Sequence, residues 1–165
     1  MHKNNKLWLT DLKICYPSSF VNCKVLELGS YNENGSVREF FENGDYVGVD
    51  KRNGAGVDIC CNAQLTIFEL ESFDTIISFS MLEHDSNWKD SLSHNLQFLK
   101  QKGMIFISFG AEGNLEHGED WKPVPSKEFL QWVNQCGLEL ISAFYEESRY
   151  GPDCKGAFNA ILRKP

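Results

Sequence analysis

Seven short apolar runs constrain what this chain can fold into. The segments "KVLELG" (24–29), "DYVGVD" (45–50), "GVDICC" (56–61), "FDTIISFS" (73–80), "MIFISFG" (104–110), "LELISAFY" (138–145) and "AFNAILR" (157–163) each read as a strand. The run at 73–80 is apolar for most of its length, as strands buried on both faces are. Between the runs lie stretches with helical marks. At 36–44, Ser36 and Glu39 have capping-box spacing and Gly44 can close the far end. At 86–103, Trp88, Leu92, Leu96 and Leu99 form a stripe at helical spacing, Lys100 and Lys102 suit a helix C-terminus, and Gly103 reads as the stop. At 126–137, Ser126 reads as a cap and Gly137 as a stop.

Strands alternating with helices imply an α/β fold with a parallel sheet covered on both faces. Only "EESRYGPDCKG" joins the last two runs, with no helical pattern, so they are expected to pair as an antiparallel hairpin. With 165 residues, no repeat and no Pro/Gly/Ser-rich linker, the chain reads as one domain, with residues 1–22 as an N-terminal cap segment. Apolar residues make up 42% and charged residues 24%, an ordinary globular balance. No apolar run is long enough to span a membrane, and the first residues carry no signal-peptide pattern. The net charge of −7 and the lack of a basic cluster weigh against a nucleic acid partner. Six scattered cysteines, with no Cys-x-x-Cys pair, fit free thiols and a cytoplasmic setting; Cys60 and Cys61 read as one buried strand residue and one outward neighbour.

In open sheets of this kind, ligands gather at the carboxyl ends of the strands. Gly29 ends the first run and leaves the backbone open to close approach. The amides near Gly35 and Ser36 would open a helix, whose N-terminus suits a carboxylate. Glu27 adds a carboxylate suited to an amine, and Asp50 ends the second run, where an acid accepts hydrogen bonds from ribose hydroxyls. Together these describe an adenosine ligand with a charged tail. A dinucleotide fits less well, because Tyr31 and Glu33 stand where Gly-x-Gly-x-x-Gly would let a pyrophosphate lie. An amino-acid tail suits Glu27 better, and that ligand is S-adenosylmethionine.

The motifs "VLELGSYNENGS", "YVGVD", "VDICCNAQ", "FDTIISFSMLEH" and "GMIFISFG", in this order and followed by the hairpin, resemble a small class I S-adenosylmethionine-dependent methyltransferase of the type 11 kind. The resemblance covers roughly residues 22–163. It implies a Rossmann-like doubly wound sheet of seven strands, mostly parallel, with an antiparallel C-terminal hairpin. It also implies that Glu27, Gly29 and Ser30 line the methionine moiety, with Gly35 beside them. Asp50 would hold the ribose, Lys51 would flank the adenine, and Asn62 and Ala63 would read its edge. Ser80 and Met81 would close over the ligand. Asn62 departs from the usual acid, and the glycine motif lacks its middle glycine.

Transfer of an activated methyl needs an in-line nucleophile and, for a protonated one, a base. His84, after the fourth run, is one candidate; Glu83 and Asp85 beside it read either as tuning groups or as surface acids. The long segment 110–125 reads as a lid, where His117, Glu119, Asp120 and Trp121 are candidates for catalysis or substrate binding. His117 is the second candidate base. Glu116, His117 and Asp120 are too few for a metal site, and none is expected. His94 reads as a helix-surface residue, and Phe129 and Trp132 as core or half-buried helix contacts. The expected acceptor is a small or sugar-like molecule. A catalytically inactive binding module and a nicotinamide oxidoreductase stay open as alternatives.

Overall fold

The structure is a computed structural model that describes residues 3–33, 35–112, 120–146 and 156–165. Its frame is one seven-stranded sheet: β1 (Val25–Leu28), β2 (Tyr46–Asp50), β3 (Ile59–Cys60), β4 (Phe73–Phe79), β5 (Leu99–Gly110), β6 (Glu139–Tyr145) and β7 (Ala157–Arg163), in the order β3-β2-β1-β4-β5-β7-β6. The first five strands pair in parallel, and β7 runs antiparallel to both β5 and β6. Every expected run forms a strand, and the C-terminal hairpin is present. The "GVDICC" run is paired only at Ile59 and Cys60.

The alternation of side chains along the strands divides the core into two layers. Leu26, Leu28, Ile76, Ile105, Ile107 and Phe109 pack under α2 (Trp88–Leu96) and α3 (Ser126–Gln135), against Trp88, Leu92, Phe129 and Trp132. Val25, Ile77, Phe79, Phe106 and Ile161 face the other way, against Leu9 and Leu12 of α1 (Lys3–Cys15) and against Phe20 and Val37. The chain before the first strand is therefore a helix covering one sheet face. Phe129 and Trp132 are buried in the core, as their spacing suggests.

Two helices read from the sequence are shorter than expected. The segment 36–44 forms only a 3₁₀ turn, Val37–Phe40. Phe41 leaves it to stack on Phe20, with ring centroids 4.6 Å apart, and Glu42 exchanges backbone hydrogen bonds with Phe20 and Asn22. Tertiary pairing has replaced the later helical turns. The segment 86–103 is helical only to Leu96, because Leu99 already pairs with Phe73 in the sheet. Lys100 to Gly103 make an irregular excursion in which Lys102 takes a φ of +64°. Ser126 is the first residue of α3, and Pro125 holds the capping position.

Candidate functional site

A cavity of about 700 Å³ opens at the carboxyl ends of β1, β2 and β4. Glu27, Gly29, Ser30, Gly35, Asp50, Lys51, Asn62, Ala63, Ser80 and Met81 all line it, as do His84, Asp120 and Trp121. The sequence order scattered these residues over 95 positions; parallel pairing of β1 with β2 and β4 brings them to one edge. His117 and Glu119 lie outside the described residues.

β1 places Glu27 in the wall, 5% exposed, where Tyr46 of β2 donates its hydroxyl to Glu27 Oε2 at 2.8 Å. Burial pushes the Glu27 carboxyl up to about 7, against the opposing pull of the Tyr46 hydrogen bond and the Arg38 charge. Past β1 the chain stays pinned to β2, with the N–H groups of Gly29 and Ser30 both donating to Val49 O. Gly29 has a φ of +84°, and a Cβ there would sit 2.5 Å from Met81 Cβ. Glycine is what lets the β1 and β4 turns approach each other. Ser30 is buried and its hydroxyl has no hydrogen-bond partner.

The expected helix N-terminus at Gly35 and Ser36 is absent as an anion site. A four-residue 3₁₀ turn carries little dipole, and the Gly35 N–H already donates to Asn32 Oδ1 at 2.8 Å. Ser36 does cap the turn, accepting from Arg38 N.

Asp50 is 8% exposed and organises both first turns. Its Oδ2 accepts from Tyr31 N at 3.1 Å and its Oδ1 from Arg52 N at 2.8 Å. The Arg52 guanidinium lies 4.2 Å from the Tyr31 ring centroid and bonds Glu33 Oε1 at 2.6 Å. Lys51 is exposed and reaches across to the β4 turn, donating to His84 O at 3.2 Å with Asp120 Oδ2 at 3.9 Å. Asn62 is exposed and precedes the 3₁₀ turn Ala63–Leu65. Asn95 Nδ2 anchors that turn by donating to Ala63 O at 2.7 Å.

After β4, Ser80 takes a φ of +56°, a conformation that non-glycine residues adopt only when their surroundings fix it. The 3₁₀ turn Leu82–His84 follows. His84 is half-buried; burial and the charges of Lys51 and Arg52 hold its ring below the usual histidine range, so it is neutral at neutral pH. Asp85 accepts from Asn87 N and Ser91 Oγ and so fastens the start of α2.

Glu83 is not the surface acid the sequence allowed. It lines the cavity, is 6% exposed, and its Oε2 has no hydrogen-bond partner. Burial pushes its carboxyl up to about 7, although the N–H groups of Glu83 and Gly110 favour the charged form. Asn5 of α1, Arg52 and Gln64 also line the cavity without having been singled out, and Tyr31 and Cys61 line it although neither was read as a ligand contact. The sequence held no signal for Asn5, which arrives there only because α1 folds back over the sheet.

Cys60 is exposed and Cys61 half-buried, so the expected buried partner of that pair is missing. With Cys15, Cys23 and Cys136 they are free thiols; Cys154 lies outside the described residues. His94 is half-buried on α2 rather than on its open surface: its Nε2 meets Thr66 O at 2.7 Å and its ring packs edge-on against Phe98. Among the described residues no group of three or more His, Cys, Asp or Glu side chains is placed to hold a metal ion, and no helix is long and apolar enough to cross a membrane.

No protein-family model matches this sequence, and no curated protein matches it. Solved structures do match in shape. A Burkholderia thailandensis 1,6-didemethyltoxoflavin-N1-methyltransferase, solved with 1,6-didemethyltoxoflavin and S-adenosylhomocysteine, superposes with a TM-score of 0.69 at 16% identity, over 99% of this chain and 83% of that one. A SAM-dependent methyltransferase from Archaeoglobus fulgidus gives 0.67 at 16% identity, over 96% and 94%. The cyclase SpnF gives 0.70 at 14% identity, over 96% and 80%. At these identities the likeness concerns architecture: the chain has the seven-stranded, Rossmann-like fold of class I S-adenosylmethionine-dependent methyltransferases.

Proposed function

We propose that the protein transfers a methyl group from S-adenosylmethionine to a small-molecule acceptor. The observation that carries this reading is the convergence of Glu27, Gly29 and Asp50 on one cavity at the switch point of the sheet, where β1 lies between β2 and β4. The cavity fits the ligand. Glu27 is a buried carboxylate with no cation on it among the described hydrogen bonds, which suits the methionine ammonium. Ser30, whose buried hydroxyl has no partner, borders the same moiety. Asp50 would accept from the ribose hydroxyls, with Lys51, Asn62 and Ala63 about the adenine and Ser80 and Met81 above the reacting end. Gly35 contributes close backbone approach rather than a charged helix end. When bound, the sulfonium supplies an already activated methyl group, so this chain's task is to orient an acceptor, exclude water and receive a proton. His84 is the proposed proton acceptor, neutral and on the cavity wall. His117, on the 110–125 segment, is the second.

A nicotinamide reading finds less support. The first turn is filled by Tyr31 stacked under Arg52, where a pyrophosphate would lie. Similarity to a protein named as a cyclase is a reminder that one fold can host several reactions. A module that binds the ligand without turnover is the reading that Asn62, a neutral acceptor in place of an acid, favours.

Calorimetric titration with S-adenosylmethionine and S-adenosylhomocysteine tests the proposal. Binding of both is expected, and the absence of heat with either ligand overturns it. Asp50→Ala is expected to weaken binding by roughly 1.5–3 kcal/mol, since it removes a charged acceptor and unties the Tyr31 and Arg52 amides.

A further inference from the structure

The cavity is acidic, and most of its acids are already engaged. Asp50 accepts from the Tyr31 and Arg52 amides, and Glu33 takes the Arg52 guanidinium. Asp85 accepts from Asn87 N and Ser91 Oγ, and Asp120 lies beside Lys51. Glu27 has the Tyr46 hydroxyl and, on the proposed function, the ammonium of the methyl donor. Glu83 remains. It is more than nine-tenths buried, lines the same cavity, and leaves Oε2 without a partner.

The cations of the cavity do not serve it. Among the described lining residues the Lys and Arg side chains are Lys51 and Arg52. Lys51 is drawn to His84 O and Asp120, and Arg52 to Glu33. A buried carboxylate with no cation beside it is costly, so it either takes up a proton or gains a charged partner.

The position of Glu83 separates it from the ribose end. It sits in the β4 turn between Met81 and His84, tied to the end of β5 by the Gly110 N–H and to the 120–124 segment through its own carbonyl, which accepts from Lys122 N at 2.7 Å. That is the neighbourhood of the proposed proton acceptor and of Trp121, an aromatic side chain also in the wall. An ammonium docked there would meet a carboxylate and an aromatic ring, the two groups that bind such cations best.

Resting on the methyltransferase reading, we infer that Glu83 is the docking group for a positively charged amine on the acceptor, which makes the acceptor an amine-bearing small molecule rather than a neutral sugar or an acid. The Glu83 carboxylate supplies the charge that fixes the nitrogen, while its backbone anchors hold it still.

The test uses protein saturated with S-adenosylhomocysteine, titrated with matched probes that differ in one terminal group: propylamine against 1-propanol, and benzylamine against benzyl alcohol. Binding is read by calorimetry or ligand-observed NMR. The wild-type protein is expected to prefer each amine at least fivefold, and Glu83→Gln to remove that preference. Equal binding of amine and alcohol, or binding of neither, overturns the inference, and so does a preference that survives in Glu83→Gln. If Glu83→Gln does not fold, Glu83→Asp replaces it, keeping the charge but withdrawing it by one methylene; the amine preference is then expected to fall at least threefold, and an unchanged preference overturns the inference. Failure of S-adenosylhomocysteine to bind in the first place sinks the methyltransferase reading itself. Binding of S-adenosylhomocysteine without amine preference sinks this inference alone.

Discussion

Glu27 shows how one side chain couples protonation to ligand binding. Its carboxyl is held up to about 7 by burial, so near neutrality part of the population carries a proton. An ammonium ligand needs the anion, and binding must therefore expel that proton. The affinity for S-adenosylhomocysteine is expected to rise between pH 6 and 8, and calorimetry in two buffers of different ionisation enthalpy should register proton release below pH 7. Affinity that falls with pH over this window would contradict it. Tyr46→Phe removes the hydroxyl that favours the charged form, so it should weaken binding at pH 7 by about 1–2 kcal/mol. The loss should shrink at pH 9, where the carboxyl is ionised in both proteins. Gly29 is constrained in another way. Gly29→Ala forces an L-residue to a φ of +84° and drives its Cβ into Met81, and an unfolding free energy lower by roughly 2 kcal/mol or more is expected in urea denaturation. These two residues differ in how visible they were. Glycine after a strand is a sequence signal, whereas the partnership of Tyr46 with Glu27 depends on the parallel register that sets Tyr46 opposite Val25.

At the level of elements, the strands were readable and the helix ends were not. A short run of Val, Ile, Leu and Phe has few ways to be buried other than as a strand between covered faces. Helix ends depend on which competing contact is stronger. Leu99 fits the stripe of α2, yet sheet pairing with Phe73 gives it a better place. Phe41 would fit a helix after Ser36, yet stacking on Phe20 draws it away. α3 has a cap from outside its own sequence neighbourhood. Glu112 accepts from Ser126 N at 2.8 Å, from Ser126 Oγ at 2.7 Å and from the Tyr145 hydroxyl at 2.5 Å. Burial opposes its charge, but these hydrogen bonds prevail and hold the carboxyl down to about 2. Glu112→Gln keeps the shape and removes the charge at a helix start. A loss of about 1 kcal/mol is expected, measured as a lower urea midpoint at pH 7. An unchanged midpoint would show that the charge contributes nothing to α3.

Across the molecule, the buried carboxylates set how stability depends on pH. Glu27 and Glu83 have folded-state values of about 7, above the ordinary 4.5, so between these limits the folded chain binds more protons than the unfolded one. Their contribution is complete below 4.5 and is lost as pH rises through about 7. Glu112 has the opposite sign: its contribution is present above 4.5 and is lost as pH falls towards 2. The Tm of the ligand-free protein is therefore expected to fall by several degrees between pH 5.5 and 8 in a fluorimetric scan, and less in Glu27→Gln. A Tm that rises across this window would show the two carboxyls to be ionised and accommodated. The sequence carried the succession of strands along the chain, the turn glycine and the acids at the ends of β1 and β2, because local periodicity and spacing encode which residues are buried in a sheet and which emerge at its edge. It could not supply the isolation of Glu83, the burial of Asn5 as α1 folds back over the sheet, or the replacement of a helix start by a short turn. Those follow from which distant segments come to lie against each other, since an acid is stranded only when the groups around it have all found other partners.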